Sequence, residues 1–230
     1  MRDFDYTGRG TLENLEGARN YNGHIFRLIA GYCDRQSRVL DFGAGRGTYA
    51  RKIGPLVEHM VAVEPDKILR DEIQKISGVS ALAELPNGAE GFDLVYLINV
   101  LEHIKRDDEC LDQLARVLKP GGRLFVYVPA SPALFSEFDV AVGHYRRYTA
   151  RSLRELASGT KLELEKLDFT DPLGWVVALV HKFLRLDPRI TRWQVWLFDR
   201  AVFPVSRYLG HFTGGLFGKN ILMILKKPGI

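Results

Sequence analysis

The stretch "VLDFGAGRGTYA", residues 39–50, places three alternate glycines after an apolar run that ends in a carboxylate, Asp41. A glycine-rich turn between a strand and a helix lets a ligand approach the backbone, because side chains at Gly43, Gly45 and Gly47 would occupy its space or forbid the turn. A tight turn without a ligand is the alternative for the glycines alone. Together with Asp41 they predict a site for a nucleotide-like cofactor.

A second carboxylate narrows the choice of cofactor. The apolar run "HMVAVEPD", residues 59–66, leads to Glu64, which can accept two hydrogen bonds from a ribose diol. The GxGxG spacing differs from the dinucleotide pattern GxGxxG, and Asp41 suits an ammonium group better than a pyrophosphate. Adenosine joined to an amino acid is S-adenosylmethionine, which is therefore the predicted cofactor.

Short apolar runs alternate with helical patterns between residues 38 and 129, which predicts parallel strands joined by crossover helices in an α/β fold. After Tyr148, Thr149 is predicted to cap a short helix that ends at Gly159. The predicted strands are "RVLDF", "HMVAV", "VSALA", "FDLVYLI" and "RLFVYVP", followed later by "KLELEKLDF" and "NILMILKK".

The chain of 230 residues suits one domain. We expect a helical arm over residues 1–36, with a helix from Thr11 to about Cys33 whose continuity Gly23 weakens. The core sheet is assigned to residues 37–170 and 218–230, and a helical insertion to residues 171–217. The insertion's apolar residues are expected to be mostly core, covering the substrate cleft or a subunit interface; peripheral membrane contact is the alternative. The residues concerned are Trp175, Val176, Leu179, Val180, Phe183, Trp193, Leu197 and Ala201.

Charge distribution, cysteine spacing and the lengths of apolar runs argue against several classes of function. The net charge is +4, but the basic residues are spread along the chain, so a nucleic-acid partner is not expected. Cys33 and Cys110 lack the spacing of a zinc site, and no metal site is predicted. The start of the chain does not look like a secretory signal, and no apolar run is long enough to span a membrane. We expect a cytoplasmic protein, with peripheral membrane contact as an open alternative.

The motifs together resemble those of class I S-adenosylmethionine-dependent methyltransferases. "VLDFGAGRG", "VAVEPD", "FDLVYLINVLEHI" and "LKPGGRLFVYVP" follow in that family's order and spacing over residues 38–130. The resemblance implies a Rossmann-like sheet of seven strands in the order 3-2-1-4-5-7-6, with strand 7 antiparallel and helices on both faces. "ARNYNGHIF" and "FDVAVGHYRRYT" are similar to the branch with an NYN-type N-terminal helix and a GHYRRYT loop.

The resemblance also implies which residues hold the cofactor. The ends of strands 1 and 2 would hold the amino-acid and ribose parts, and the end of strand 4 would line the site of the transferred methyl group. Tyr21 is interpreted either as a lid over the cofactor or as an anchor for the arm. The expected cofactor-binding residues are Tyr21, Asp41, Gly43, Ala44, Gly45, Glu64, Pro65, Asn99 and Val100.

The loop after strand 5 is the predicted acceptor site. For a hydroxyl acceptor, His144 is the first choice of general base and His103 the second, while the paired Arg146 and Arg147 can hold a carboxylate or phosphate. Tyr145 is a further candidate catalytic residue of the same loop. The alternative is a loop braced by arginines on Asp139. The sequence thus predicts methyl transfer, at oxygen, to a small-molecule, glycan or lipid-linked acceptor. A nicotinamide-dependent oxidoreductase and a non-catalytic cofactor-binding scaffold remain alternatives.

Overall fold

The computed structural model describes residues 9–86, 91–184, 187, 191–212 and 215–229. Seven strands form one sheet in the order β3-β2-β1-β4-β5-β7-β6, which confirms the predicted order. β7 runs antiparallel to β5 and β6, and the other neighbouring strands are parallel. The strands are β1 (Arg38–Phe42), β2 (His59–Val63), β3 (Val79–Leu82), β4 (Phe92–Ile98), β5 (Leu118–Pro129), β6 (Glu163–Thr170) and β7 (Asn220–Lys226).

Helices cover both faces of the sheet. They are α1 (Arg9–Glu16), α2 (Arg19–Ala30), α3 (Ala50–Ile53), α4 (Lys67–Ile73), α5 (Asp107–Val117), α6 (Glu137–Val142), α7 (Ala150–Ser158), α8 (Pro172–Phe183), α9 (Arg192–Leu197) and α10 (Phe203–Phe212). A π-helical stretch, Phe198–Val202, joins α9 to α10. Thr149 caps α7 by accepting a hydrogen bond from the Ser152 amide, as the sequence predicts.

The core has two apolar layers because successive strand residues point to opposite faces of the sheet. Leu40 packs in one layer with residues of α5 and α7, such as Leu114 and Leu153. Val39 packs in the other with Ile29 of α2 and residues of α3 and α4. Parallel strands buried on both faces read as apolar runs, which is why the sequence located them.

The N-terminal arm differs from the expected single helix. It breaks between α1 and α2 at Gly17 and Ala18, and Gly23, the predicted weak point, lies inside α2. Ala18 offers no side-chain cap to α2. Instead the buried carboxylate of Asp199, from the π-helical stretch, accepts hydrogen bonds from the Asn20 and Tyr21 amides at 3.0 and 2.9 Å. A partner far along the chain therefore fixes where α2 begins.

Two shorter elements also differ from expectation. Glu102 and His103 lie in a 3₁₀ turn, Leu101–His103, and not at the start of a helix, because α5 begins at Asp107. The "KPGG" segment, expected to be a turn before strand 5, forms part of β5. The pairing of β5 with β4 is irregular there: Phe92 pairs with Leu118, but Leu94 pairs with Arg123, so the register shifts between them.

The segment between β6 and β7 is helical where it is described, as expected, but within one chain most of the apolar residues that were expected to be core are exposed. Val176, Val180 and Phe183 of α8 are exposed, and so are Trp193 and Leu197 of α9. α8 packs against α10 and the short turn Pro132–Leu134, which leaves its outer face open. Within the described residues, no helix has the length and apolar character needed to cross a bilayer.

Candidate active site

A cavity of about 740 Å³ lies at the carboxyl ends of β1, β2 and β4. Gly43 and Gly45 adopt positive φ angles, +74° and +56°, which glycine tolerates best. All nine predicted cofactor-binding residues line this cavity: Tyr21, Asp41, Gly43, Ala44, Gly45, Glu64, Pro65, Asn99 and Val100. The structure thus brings together residues that lie up to 79 positions apart in the sequence.

The predicted ribose carboxylate is already held in place by the backbone. Glu64 accepts hydrogen bonds from the Gly45 amide at 2.8 Å and the Asp66 amide at 2.9 Å, one on each oxygen. Each carboxylate oxygen has a second lone pair that can accept another hydrogen bond, so a ribose diol fits this group. Burial, opposed by these two amides, raises the pKa of Glu64.

Asp41 is the buried carboxylate at the end of β1. It is 2% exposed and accepts a hydrogen bond from the Tyr96 hydroxyl at 2.9 Å. Burial raises its pKa to about 8, and the nearby Glu64 acts in the same direction. An ammonium group beside it would supply the charge partner that burial makes favourable. The two acceptor carboxylates, Asp41 and Glu64, therefore fit a ligand with a ribose part and an amino-acid part.

Changing Asp41 to asparagine should stabilise the ligand-free protein, and more so at high pH. The pKa of Asp41 is raised in the folded state, so its contribution to stability is complete below the unfolded pKa near 4 and is lost as pH rises through 8. The loss is at most about 1.4 kcal/mol per pH unit. The melting temperature of Asp41→Asn should therefore exceed that of the wild type by more at pH 8 than at pH 5. For a chain of this length, each kcal/mol of difference in stability shifts the melting temperature by about 2–4 °C.

Thermal melting of the ligand-free protein at pH 5, 6.5 and 8 measures this effect. Asp112→Asn, on the exposed side of α5, is the matched control and should follow the wild type at each pH. A constant difference between wild type and Asp41→Asn across the three pH values would show that folding does not raise the pKa of Asp41.

The end of β4 carries backbone strain where the cavity begins. Asn99 has a φ of 52°, which is uncommon for a residue other than glycine. Next to it, Val100 packs so closely on Gly43 that a Cβ built there would lie 2.5 Å from a Val100 methyl carbon. A Cβ at Gly47 would instead meet Ile76, at 2.7 Å. The third glycine thus serves helix packing, and it does not line the cavity.

Tyr21 sits between the arm, the sheet and the insertion. Its ring packs edge-on against Tyr127 of β5 and Phe203 of α10, at centroid distances of 6.5 and 5.2 Å. Its hydroxyl lies 3.4 Å from Nδ2 of Asn220, which donates to it. These contacts favour the anchoring interpretation, while the same ring also forms part of the cavity wall.

Three titratable side chains, Glu102, His103 and His144, meet at another part of the cavity wall. We call them the polar cluster. One ligand atom from each lies within 4.8 Å of the others. Glu102 is fully buried and its two oxygens have no hydrogen-bond partner among the described residues. Burial raises the pKa of Glu102 to about 8 and lowers that of His103 to about 4, with the charge of His144 acting on His103 in the same direction.

Asp139 orients the loop that carries His144. Its Oδ1 lies 2.7 Å from Nδ1 of His144 and 2.8 Å from Nε of Arg147. Burial acts to raise the pKa of Asp139, but the hydrogen bonds from His144 and Arg147 hold it below its usual range. The second ring nitrogen of His144, Nε2, lies 3.8 Å from Glu102.

The predicted acceptor residues therefore separate into two groups. His103, His144 and Arg147 line the cavity, whereas Tyr145 and Arg146 are not among the described residues that do so. Arg146 pairs with Asp107 at 2.8 Å and donates to the Lys105 carbonyl. Tyr145 is 58% exposed. Binding of an acceptor by these arginines and tyrosine stays a prediction, and the contacts of both arginines suit the brace considered as its alternative.

Alanine at Arg147 should destabilise the protein far more than alanine at Arg146. Removing Arg147 leaves the buried carboxylate of Asp139 without its cationic partner, which costs about 3–5 kcal/mol for pairs of this kind. Arg146 forms a partly exposed pair worth about 0–1 kcal/mol. Denaturant unfolding of both variants tests the difference; equal losses would contradict the buried brace.

Sequence reasoning missed several residues of the cavity. Lys219, just before β7, lines the cavity with its Nζ 5.1 Å from the Phe198 ring centroid, and burial lowers its pKa. Val177, Val195 and Phe198 of the insertion add apolar wall. No motif marks these residues, because only the packing of the insertion over the sheet edge brings them to the site.

Comparison with known proteins identifies what this chain resembles. A family model described as "Methyltransferase domain" matches residues 15–167. The ubiquinone/menaquinone biosynthesis C-methyltransferase UbiE of Pseudomonas paraeruginosa is 35% identical in an alignment of 120 residues, and the match covers 45% of this chain and 47% of that protein. Methyltransferase GfsG of Streptomyces halstedii is 29% identical in an alignment of 152 residues, and the match covers 58% of this chain and 55% of that protein. The chain spans about half the length of these relatives.

Solved structures share the fold at low sequence identity. Phosphoethanolamine N-methyltransferase 2 of Haemonchus contortus, in complex with S-adenosyl-L-methionine, superposes with a TM-score of 0.59 at 18% identity, covering 91% of this chain and 52% of that one. A TehB-like SAM-dependent methyltransferase of Corynebacterium glutamicum gives 0.55 at 17% identity, covering 88% and 86%. At these identities the likeness shows the fold alone.

Proposed function

Because the chain belongs to the methyltransferase domain family, we propose that it uses S-adenosylmethionine to methylate an oxygen atom of a small acceptor with an apolar body. The observation that supports this proposal is that one cavity contains both the predicted cofactor-binding residues and the polar cluster. Gly43, Gly45, Asp41 and Glu64 lie in its wall at the sheet edge, and the polar cluster lies in the same wall. The methyltransferase match leaves the nicotinamide-dependent alternative without support.

The chain has a residue for the ribose, the amino-acid end and the methyl-bearing end of the cofactor. Glu64 would hold the ribose hydroxyls, Asp41 would hold the ammonium group, and Asn99 and Val100 would line the methyl-bearing end, as the resemblance implies. S-adenosylmethionine, when bound, supplies a methyl group on a sulfonium, which an acceptor's electron pair takes while sulfur keeps the electrons of the broken bond. The enzyme's main task is therefore alignment of the acceptor.

Oxygen is favoured as the methylated atom because the cavity carries a proton acceptor. A hydroxyl must lose its proton to become a methyl ether, and a histidine held by a carboxylate is suited to take it. Because Asp139 contacts Nδ1 of His144, the other ring nitrogen, Nε2, faces Glu102 of the polar cluster. His144 is the proposed base, with His103 beside it at a ring distance of 4.6 Å.

The acceptor's apolar body is inferred from the part of the cavity wall that the insertion supplies. α8 and α9 contribute Val177, Ala178, Val195 and Leu197 to the cavity. A cavity of about 740 Å³ falls toward the upper part of the range for small-ligand sites, so it has room for a nucleoside cofactor and a small acceptor, or one end of a lipid-linked acceptor. A free small molecule with an apolar part and a lipid-linked precursor, including one that carries a glycan, both belong to this class.

The test is turnover with labelled S-adenosylmethionine on a panel of phenols, sugar alcohols and prenyl-linked precursors, followed by mass spectrometry. A methylated product that forms with wild type and not with Glu64→Ala supports the proposal. Cofactor binding without turnover on the panel or on cell extracts would favour the non-catalytic scaffold instead.

We also propose that the insertion contacts an anionic lipid surface. Of the exposed large apolar side chains that the structure describes, most lie in the insertion, among them Phe183, Trp193 and Trp196, at 85%, 61% and 51% exposure. Arg192 and Arg200 are exposed on the same helical run. Exposed aromatic and basic residues on one helix are typical of binding in the interface of a membrane.

Wild-type protein should therefore sediment with vesicles that contain anionic phosphatidylglycerol and less with phosphatidylcholine alone. The double variant Phe183→Ser/Trp196→Ser should lose most of this binding, whereas Ile68→Ser, exposed on α4, should keep it. Absence of vesicle binding by the wild type, together with self-association that the double variant abolishes, would show that this face joins two copies of the chain.

A further inference from the structure

The polar cluster has the composition and spacing of a metal site. It offers two imidazoles and one carboxylate, from residues 102, 103 and 144, and their ligand atoms lie within 4.8 Å of one another. Around a first-row metal ion, ligand bonds of about 2.0–2.2 Å bring such atoms to roughly 3 Å from each other. Binding of a cation would therefore draw the three side chains closer together.

Glu102 supplies an independent observation. Its side chain is fully buried, faces the cluster, and has no hydrogen-bond partner for either oxygen among the described residues. A buried carboxyl group whose oxygens lack hydrogen-bond partners is costly in either protonation state, because burial removes its hydration. Arg147, the nearby cation, is engaged by Asp139 at 2.8 Å. The carboxylate therefore has acceptor capacity that no neighbouring side chain uses.

The two histidines are held as metal-binding histidines usually are. Nδ1 of His144 contacts Asp139 at 2.7 Å, and His103 hydrogen-bonds to the backbone of Gly143. Metal-ligating histidines commonly donate one ring N–H to a carboxylate or carbonyl, which fixes the ring and directs the other nitrogen at the metal. Asp139 and His144 form a carboxylate–histidine pair of this kind.

We propose that Glu102, His103 and His144 bind a divalent first-row transition-metal cation. Two imidazole ligands favour manganese, iron, cobalt or zinc over magnesium and calcium, which prefer oxygen ligands. Three protein ligands leave coordination positions open toward the cavity, as in catalytic metal sites. No motif in the sequence indicates this site, because 40 residues separate His103 from His144.

The open position gives the cation a role in the proposed reaction. An acceptor hydroxyl bound there loses its proton to water more readily, because the positive charge stabilises the alkoxide or phenolate. His144 then acts as a ligand, and the metal takes over the activation of the oxygen. This role rests on the proposed function, whereas metal binding itself does not.

Cobalt(II) is the probe for binding. Protein without an affinity tag, treated with EDTA and dialysed, is titrated with Co²⁺ and followed by visible absorption and calorimetry. Wild type should develop the intense visible bands of a low-coordinate Co²⁺ site with one ion per chain. Glu102→Gln and His144→Asn should each weaken binding at least tenfold, while Glu155→Gln, on the exposed side of α7, should bind as wild type does.

Two outcomes would overturn the inference. One is a Co²⁺ spectrum equal to that of the free aqueous ion; the other is equal binding by wild type, Glu102→Gln and His144→Asn. Melting curves check that the variants are folded, and His144→Asn retains an amide that can donate to Asp139. The titration needs no substrate, so failure of methyl transfer and failure of metal binding are scored separately. Mg²⁺ in place of Co²⁺ should bind at least tenfold more weakly.

Discussion

Replacing Glu64 by alanine weakens binding of S-adenosylhomocysteine by about 10²- to 10⁴-fold, because two hydrogen bonds to a charged acceptor are lost at roughly 1.5–3 kcal/mol each. Glu64 also accepts the amides of Gly45 and Asp66, so its removal loosens the glycine turn itself. Calorimetric titration with S-adenosylhomocysteine measures the effect.

Glu64→Gln separates the two contributions. Its single amide oxygen can accept from one backbone amide only, while its NH₂ group faces the other, so binding should fall between wild type and Glu64→Ala. Glu58 is exposed and directly precedes β2, at the end of the strand away from Glu64. Glu58→Gln is therefore the control and should bind as wild type does. Unchanged affinity of Glu64→Ala would remove the ribose assignment and with it the orientation of the cofactor.

Replacing His144 by asparagine lowers kcat by about 10²- to 10⁴-fold, the usual contribution of a positioned general base. Asparagine keeps a donor near the position of Nδ1 for Asp139 but removes Nε2, the nitrogen that faces the polar cluster. Affinity for S-adenosylhomocysteine should stay within about threefold, because the change removes an interaction on the acceptor side. Steady-state kinetics with the identified acceptor, beside a cofactor titration, measure both.

His59→Ala, at the far end of β2, is the matched control and should leave kcat unchanged. A full kcat in His144→Asn would show that the cavity activates the acceptor through another group. Loss of cofactor binding in the same variant would instead make the GHYRRYT loop a support of the cofactor site. A bound cation would change how His144 acts, as ligand and not base, but not the direction of the effect on kcat.

The sequence was sufficient for the sheet and for the cofactor side of the site. β1, β2, β4 and β5 are buried on both faces, so their apolar runs stand out. Asp41 and Glu64 could be placed together because the carboxyl ends of parallel strands share one edge of a sheet. Local patterns of this kind depend on residues close in the chain.

The acceptor side depends on contacts that sequence patterns do not encode. The beginning of α2 is set by Asp199, 179 residues from Asn20. The burial of Glu102 beside His144 arises from the packing of the GHYRRYT loop over the turn after β4. Helical spacing predicted one apolar face for α8 and α9, but it does not say whether protein covers that face.

The most direct test of the account is to incubate the protein with extracts of its host and S-adenosylmethionine carrying a ¹³C-labelled methyl group. The account predicts one product that gains a single labelled methyl with wild type and not with Glu64→Ala, and whose ¹³C chemical shift is that of a methyl bound to oxygen. A methyl signal on carbon or nitrogen would contradict the proposed acceptor atom. Tight cofactor binding with no labelled product would contradict methyl transfer as the activity.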